Sequence, residues 1–178
     1  YSFLPLGLKV LNKINQLIRQ EMEGLGANEV QMSALQNEEP WRASGRHELP
    51  VWFKTKLREG GELGLGWTHE EAVTVMMKEH LLSYRDLPRA IFQIQTKFRN
   101  EERAKSGLLR GREFLMKDMY SFHPDQKSLD EFYEKVKAVY LKIFQVAGLG
   151  QSTYLTVASG GAFSEWSHEF QTLSATGE

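Results

Sequence analysis

The 178-residue chain contains no cysteine, so disulfides and thiolate metal sites are both excluded. Proline is scarce, with five residues, and no apolar run approaches the roughly 20 residues needed to cross a bilayer. Nothing at the start reads as a signal peptide; the first residues lead into an amphipathic pattern instead. The excess of one charge over the other is equally small, a formal net of −1, so this is no polycation that coats nucleic acid. Repeats, low-complexity tracts and linker-like stretches are missing too, and no strand-like run is followed by a glycine-rich phosphate loop. Gly60-Gly61 and Gly160-Gly161 read as turns. These absences leave one globular domain of ordinary composition, 41% hydrophobic and 25% charged, for which a cytoplasmic location is the expectation. No membrane and no DNA partner is expected. The chain begins at Tyr1 without methionine and stops at Gly177-Glu178 after a strand-like segment, which suggests a fragment or trimmed domain.

What is present is unevenly spread. Between Lys97 and Asp118 lie seven basic residues (Lys97, Arg99, Arg103, Lys105, Arg110, Arg112, Lys117) and four acidic ones (Glu101, Glu102, Glu113, Asp118), a local +3. A compact positive patch on a near-neutral body suits one anionic ligand better than a polymer. Ile91, Gln93, Gln95 and Lys97 alternate with Phe92, Ile94, Thr96 and Phe98, the period of a strand, and Glu113 to Phe122 reads as the returning strand. On that hairpin Arg99 and Glu101, two residues apart, are expected to share a face. Arg99 can fork onto a phosphate, Glu101 can accept from an adenine amino group, and Phe114 can stack on a base. The same residues also fit an exposed hairpin whose charges pair across strands.

Elsewhere, Leu8, Leu11, Ile14, Leu17, Ile18 and Met22 predict a first helix stopped by Gly24 and Gly26. Strands are expected over Glu29 to Met32, Gln151 to Ala158 and Phe170 to Ala175. Val51 to Leu57 and Glu62 to Trp67 flank Gly60-Gly61 as a hairpin. Helices are expected from Thr68 to about Tyr84 and from Ser128 to Gly148. Hairpins interleaved with a few helices, without a βαβ rhythm, give an α+β fold with an antiparallel sheet flanked by helices. Thr68 and Glu71 have the spacing of a helix capping box, which leaves the Glu70 carboxylate free for an ammonium group. His47, His69, His80 and His123 read as structural, and no metal site is expected because no pair of histidines has ligand spacing with a third ligand nearby.

The run QIQTKFRNEERAKSGLLRGREFLMKDMYSFH resembles motif 2 of the class II aminoacyl-tRNA synthetases: Phe-Arg-x-Glu, a variable loop, then Arg-x-x-x-Phe. With YSFLPLGLKVLNKI, LGWTHEEAVT and SHEFQTLSATGE, it is similar to the bacterial-type prolyl-tRNA synthetases over essentially the whole chain. The resemblance implies the class II catalytic fold, carried here as the N-terminal part of a catalytic domain over residues 1–178. Motif 3, the editing insertion and the anticodon-binding domain would lie outside it. It implies activation of proline by ATP with Mg²⁺, transfer to tRNA(Pro), and a homodimer built through motif 1. Arg99 would be the catalytic arginine on the α-phosphate, with Arg99, Glu101, Arg110 and Phe114 binding ATP. Thr68, Glu70, Arg99, Trp166 and His168 would bind proline, with Phe163 as another wall of its pocket. Arg103 and Lys105 would meet the tRNA acceptor end. The family has proline where this chain has Trp67, and again where motif 1 here reads Ser33. A non-catalytic class II paralogue that binds an amino acid, tRNA or a partner subunit is the alternative. A sister synthetase for threonine or serine and a plain RNA-binding module rank below it.

Overall fold

The computed structural model describes residues 1–104, 107–158, 167–175 and 177. It divides into two units, Tyr1–Asp130 and Glu131–Glu178, with the division falling inside one long helix.

The first unit opens with α1 (Pro5–Gly24). Pro5 sits at the helix start, where its missing N–H is no loss, and Gly26 at φ +81 turns the chain out of it. Strand β1 (Asn28–Glu29) is shorter than expected and runs parallel to β5 (Arg89–Phe98), pairing Asn28 with Ile91 and Glu29 with Phe92. The antiparallel expectation holds for the other described ladders, with this short pair as a parallel addition. The ladder stops early because glutamine side chains replace it: Gln93 Oε1 accepts from the Met32 amide at 3.3 Å and Gln95 Nε2 donates to the Met32 carbonyl at 2.7 Å. β5 then pairs antiparallel with β6 (Glu113–Phe122) along all ten residues, giving the sheet order β1-β5-β6.

A second sheet has the order β2-β4-β3, all antiparallel, from β2 (Leu35–Asn37), β3 (Lys54–Lys56) and β4 (Glu62–Leu65). The β3–β4 turn carries Gly60 and Gly61, both at positive φ, as the Gly-Gly pair indicated. Between β2 and β3 lies α2 (Glu38–Ala43), unforeseen in sequence. It contributes Trp41, which stacks on Trp52 and Trp67 with ring centroids 5.3 and 5.2 Å away; Leu49 and Val51 pack on the trio. Gly64 is required by this cluster, since a Cβ there would lie 1.8 Å from the Trp52 ring. Gly64→Ala is therefore expected to destabilise the chain by about 1–3 kcal/mol or more, measured as a lowered urea midpoint at constant slope.

A second cluster joins Val73 and Met77 of α3 (Glu70–His80) to Ile91 of β5, with Val30, Tyr120 and Phe122 around it. Helix α3 is shorter than the Thr68–Tyr84 expectation at both ends, and the capping box does not form. His69 holds the N-cap position with no side-chain cap, the Thr68 hydroxyl turns to Glu70, and Glu71 is drawn into the interior by Arg46. Tertiary ion pairing has overridden the local cap.

Helix α4 (Gln126–Val146) starts in the first unit and forms much of the second. The second unit also holds a two-stranded antiparallel pair, β7 (Thr153–Ala158) with β8 (Ser167–Thr172), and Phe170 packs against Tyr140 and Phe144 of α4. No described helix is long and apolar enough to cross a membrane.

Candidate active site

The β5–β6 hairpin presents Gln93, Gln95 and Lys97 on one face, and register brings Phe114, Met116 and Asp118 of β6 opposite them on the same face. In most half-solvated sheets such a polar stripe would face water. Here Gln93 and Lys97 are 1% and 0% exposed. Buried polar groups of this kind persist only when each is bonded. Lys97 Nζ lies 2.9 Å from Asp118 Oδ1 and 2.5 Å from His69 Nδ1; Asp118 Oδ2 accepts from Tyr120 (2.6 Å) and from Gln93 (2.9 Å). Burial lowers the Lys97 pKa while the Asp118 carboxylate works against that shift. The Tyr120 hydroxyl is pushed far up, first by burial and then by its bond to Asp118.

The loop that follows β4 runs across the end of this hairpin, and three successive carbonyls pin it. Gly66 O accepts from the Phe98 amide (3.0 Å), Trp67 O from Arg99 Nε (3.3 Å), and Thr68 O from Gln36 Nε2 (3.1 Å). Gln36 is itself fixed by accepting from Trp41 Nε1 at 2.9 Å. Trp67, standing where the resembled family has proline, is buried in the tryptophan cluster and anchors the loop by its ring. The Thr68 hydroxyl donates to the Glu70 carboxylate. Arg46, 15% exposed, reaches Glu71 at 2.7 Å and Glu70 at 3.5 Å, with its guanidinium 4.6 Å over Trp67 and 5.4 Å from the Trp41 centroid. Ser44 donates to Glu71 as well, at 2.9 Å.

Arg99 is half-buried at the mouth, its guanidinium 5.3 Å over the Phe114 ring. Desolvation lowers its pKa, opposed by the Glu101 and Glu70 carboxylates, so it stays a cation at neutral pH. The structure thus gathers Arg99, Phe114, Trp67, Thr68 and Glu70 into one place. Glu101 is not presented by strand alternation, because β5 ends at Phe98 and the Glu101 amide turns back to the Arg99 carbonyl at 2.8 Å. It lines an adjoining cleft of about 380 Å³ together with Pro50, Val51, Asn100, Glu102, Arg103 and Arg110. The hairpin therefore holds two neighbouring sites: a preorganised pair of acceptors beside an arginine, and a cleft bearing two arginines and two carboxylates.

Lys105, Phe163 and Trp166 lie outside the described residues. His168 belongs to the second unit, where it is exposed on β8 and its Nδ1 meets the Tyr133 hydroxyl at 2.9 Å. Ser33, in the motif 1 position, donates its hydroxyl to the Leu35 carbonyl at 2.7 Å. Of the histidines read as structural, His47 is buried at 5%, with Glu48 2.6 Å from Nδ1 and Glu38 3.1 Å from Nε2. Glu38, His47 and Glu62 bring ligand atoms within 4.8 Å of one another, a proximity invisible in sequence. Arg42 already pairs with Glu38 at 2.8 Å, and Lys54 sits 3.4 Å from His47 Nδ1.

The tRNA synthetase class II core domain family (G, H, P, S and T) matches residues 53–176. The chain belongs to that family. Its similarity to individual class II members extends further, over the whole chain. The proline–tRNA ligase of Bacillus cytotoxicus is 48% identical over 185 residues, covering 100% of this chain and 32% of that protein. The enzyme of the same name from Staphylococcus haemolyticus is 49% identical over 181 residues with the same coverage. The chain spans about a third of the length of these curated relatives. Among solved structures, Giardia lamblia prolyl-tRNA synthetase in complex with prolyl-adenylate superposes with a TM-score of 0.79, covering 89% of this chain and 33% of that one. At 21% identity this last likeness speaks for the class II fold alone.

The burial of Lys97, Asp118, Arg46 and His69 around the candidate site was not legible in the sequence motifs. Lys97 carried a signal: a lysine continuing the Gln93-Gln95 stripe, with Asp118 two positions before Tyr120 on the partner strand. Arg46 carried none, since it pairs with residues 24 and 25 positions away.

Proposed function

We propose that the protein carrying this chain activates proline with ATP and transfers it to the 3′ end of tRNA(Pro), and that residues 1–178 form the N-terminal part of its catalytic domain. The supporting observation is the pinned Trp67–Glu70 loop beside the half-buried Arg99, in a chain about half identical to proline–tRNA ligases from end to end. Thr68 and Glu70 would accept the two N–H bonds of the prolinium nitrogen. Arg99 would hold the proline carboxylate against the α-phosphate, leaving Phe114 to stack on adenine and Glu101 to accept from its amino group. Arg110 would meet the outer phosphates from the cleft, and Arg103 and Lys105 the acceptor end of tRNA. Trp166 and His168 are further candidates for proline contact on the resemblance of the segment 167–170 alone.

Attack of the proline carboxylate oxygen on the α-phosphorus forms the acyl–phosphate bond as the bond to pyrophosphate breaks, and no side chain need act as nucleophile. The protein supplies position and fixed charge, which is where most of the acceleration in such transfers arises. Mg²⁺ is a partner of the phosphates more than of a protein cage. Glu102 on the cleft wall is a hard oxygen donor of the class that would suit it, and when bound it would supply neutralising charge to the leaving pyrophosphate. We further propose a cytoplasmic homodimer, for which the exposed apolar residues Leu6, Leu8, Val10 and Ile14 of α1 offer a surface. The test is amino-acid-dependent ATP–pyrophosphate exchange by the full-length protein with proline, alanine, threonine and serine. Exchange with proline alone is expected. Exchange with threonine or serine would reassign the substrate, and none with any amino acid would favour the non-catalytic paralogue.

A further inference from the structure

We infer that His69 and Lys97 form a buried positioning pair, in which the imidazole Nδ1 must accept from the lysine ammonium for the Thr68–Glu70 loop to recognise proline. The inference rests on the function proposed above. His69 is fully buried, and its Nε2 lies 3.1 Å from the Ser33 carbonyl oxygen, which can only accept. The ring proton is therefore on Nε2, which leaves Nδ1 as a lone pair facing Lys97 Nζ at 2.5 Å. The partners on its two sides fix both the tautomer and the plane of the ring. The fold also makes room for it: a Cβ on Gly66 would lie 2.8 Å from His69 Cε1.

The location gives the pair its role. His69 stands between Thr68 and Glu70 in sequence, so holding its ring holds the peptide that carries both proline-facing groups. Lys97 is the penultimate residue of β5, and Arg99 follows directly on the strand's end. One buried hydrogen bond thus ties the amino-acid loop to the strand that delivers the arginine. A core that needed only filling would be served more cheaply by two apolar side chains. The charged and titratable groups that face His69 are Lys97 on β5, Asp118 and Tyr120 on β6, and its own neighbour Glu70. Burial first, and then Lys97, lower the His69 pKa below its ordinary 6.5, so the ring is neutral at physiological pH and can accept. Protonation on the acid side would set two cations against each other and open the link.

The experiment compares His69→Asn with His69→Gln in the full-length protein. Asparagine keeps a side-chain acceptor near the Nδ1 position and loses the bond to Ser33. Glutamine reaches toward Ser33 and leaves Lys97 without its acceptor. His69→Gln is expected to raise the KM for proline by about tenfold or more with the KM for ATP nearly unchanged, while His69→Asn stays within about threefold of wild type. Lys97→Met combined with Asp118→Asn, so that no carboxylate is left buried without its counter-ion, should reproduce the glutamine effect. In wild type, kcat/KM for proline should fall at acid pH, and that acid limb should be missing in His69→Asn. Equal KM changes in Asn and Gln, or parallel rises for proline and ATP in a folded variant, would overturn the inference while leaving the function standing. A wild type with no proline-dependent exchange would remove the function and the inference together.

Discussion

Arg99→Ala in the full-length protein is expected to cut proline-dependent ATP–pyrophosphate exchange by about 10²–10³-fold, the usual consequence of losing one preorganised donor to developing charge. The reason lies in how Arg99 is held. Its Nε is committed to the Trp67 carbonyl at 3.3 Å and its guanidinium rests over Phe114, so the remaining N–H groups point from a fixed fork. Arg99→Lys is not a conservative change at such a position. It keeps the charge but loses the planar fork, and should recover only a minor part of the rate. If alanine at this position reduced exchange by less than about tenfold, Arg99 would not be the α-phosphate ligand.

The second large effect concerns stability. Arg46→Met leaves Glu71, whose side chain is 5% exposed, as a buried carboxylate bonded by the Ser44 hydroxyl without its cation, and removes a charge from over Trp67. A loss of about 3–5 kcal/mol is expected, because breaking one half of a buried pair leaves the other uncompensated. Adding Glu71→Gln should restore much of it, since a neutral amide needs no counter-ion. Urea unfolding of wild type, Arg46→Met and Arg46→Met/Glu71→Gln reads the outcome directly. If the double variant were no more stable than the single, the buried charge would not be the cause, and loss of the guanidinium's contacts with the Trp41 and Trp67 rings would take its place.

Much of this architecture was legible in the amino-acid order. The β5–β6 hairpin declared itself by alternation, and β6 runs from Glu113 to Phe122 as its pattern required. The long helices followed from apolar spacing, and Gly60-Gly61 from turn chemistry. What could not be read depends on partners far away in sequence. β1 pairs parallel with a strand more than 60 residues on, and it stops after two residues because Gln93 and Gln95 take over its backbone bonds. The capping box at Thr68 was a sound local expectation that lost to Arg46, which captures Glu71 from another loop. Alternation told where β5 was but not which face it buried. That the Gln93-Gln95-Lys97 stripe faces inward emerges only once Asp118 and His69 are seen against Gln93 and Lys97, and the Met32 carbonyl against Gln95. The candidate site residues divide in the same way. Arg99, Phe114, Thr68 and Glu70 were visible as motifs, whereas the groups that hold them in place were not.

The proposed function requires the Thr68–Glu70 loop and Arg99 to form one proline–adenylate site. Calorimetric titration of the full-length protein with a non-hydrolysable prolyl-adenylate analogue, with alanyl and threonyl analogues as controls, addresses it most directly. The prolyl compound should bind selectively, and both Arg99→Ala and Glu70→Gln should weaken it by an order of magnitude or more while the protein stays folded. Equal binding of all three analogues, or binding indifferent to both substitutions, would contradict it.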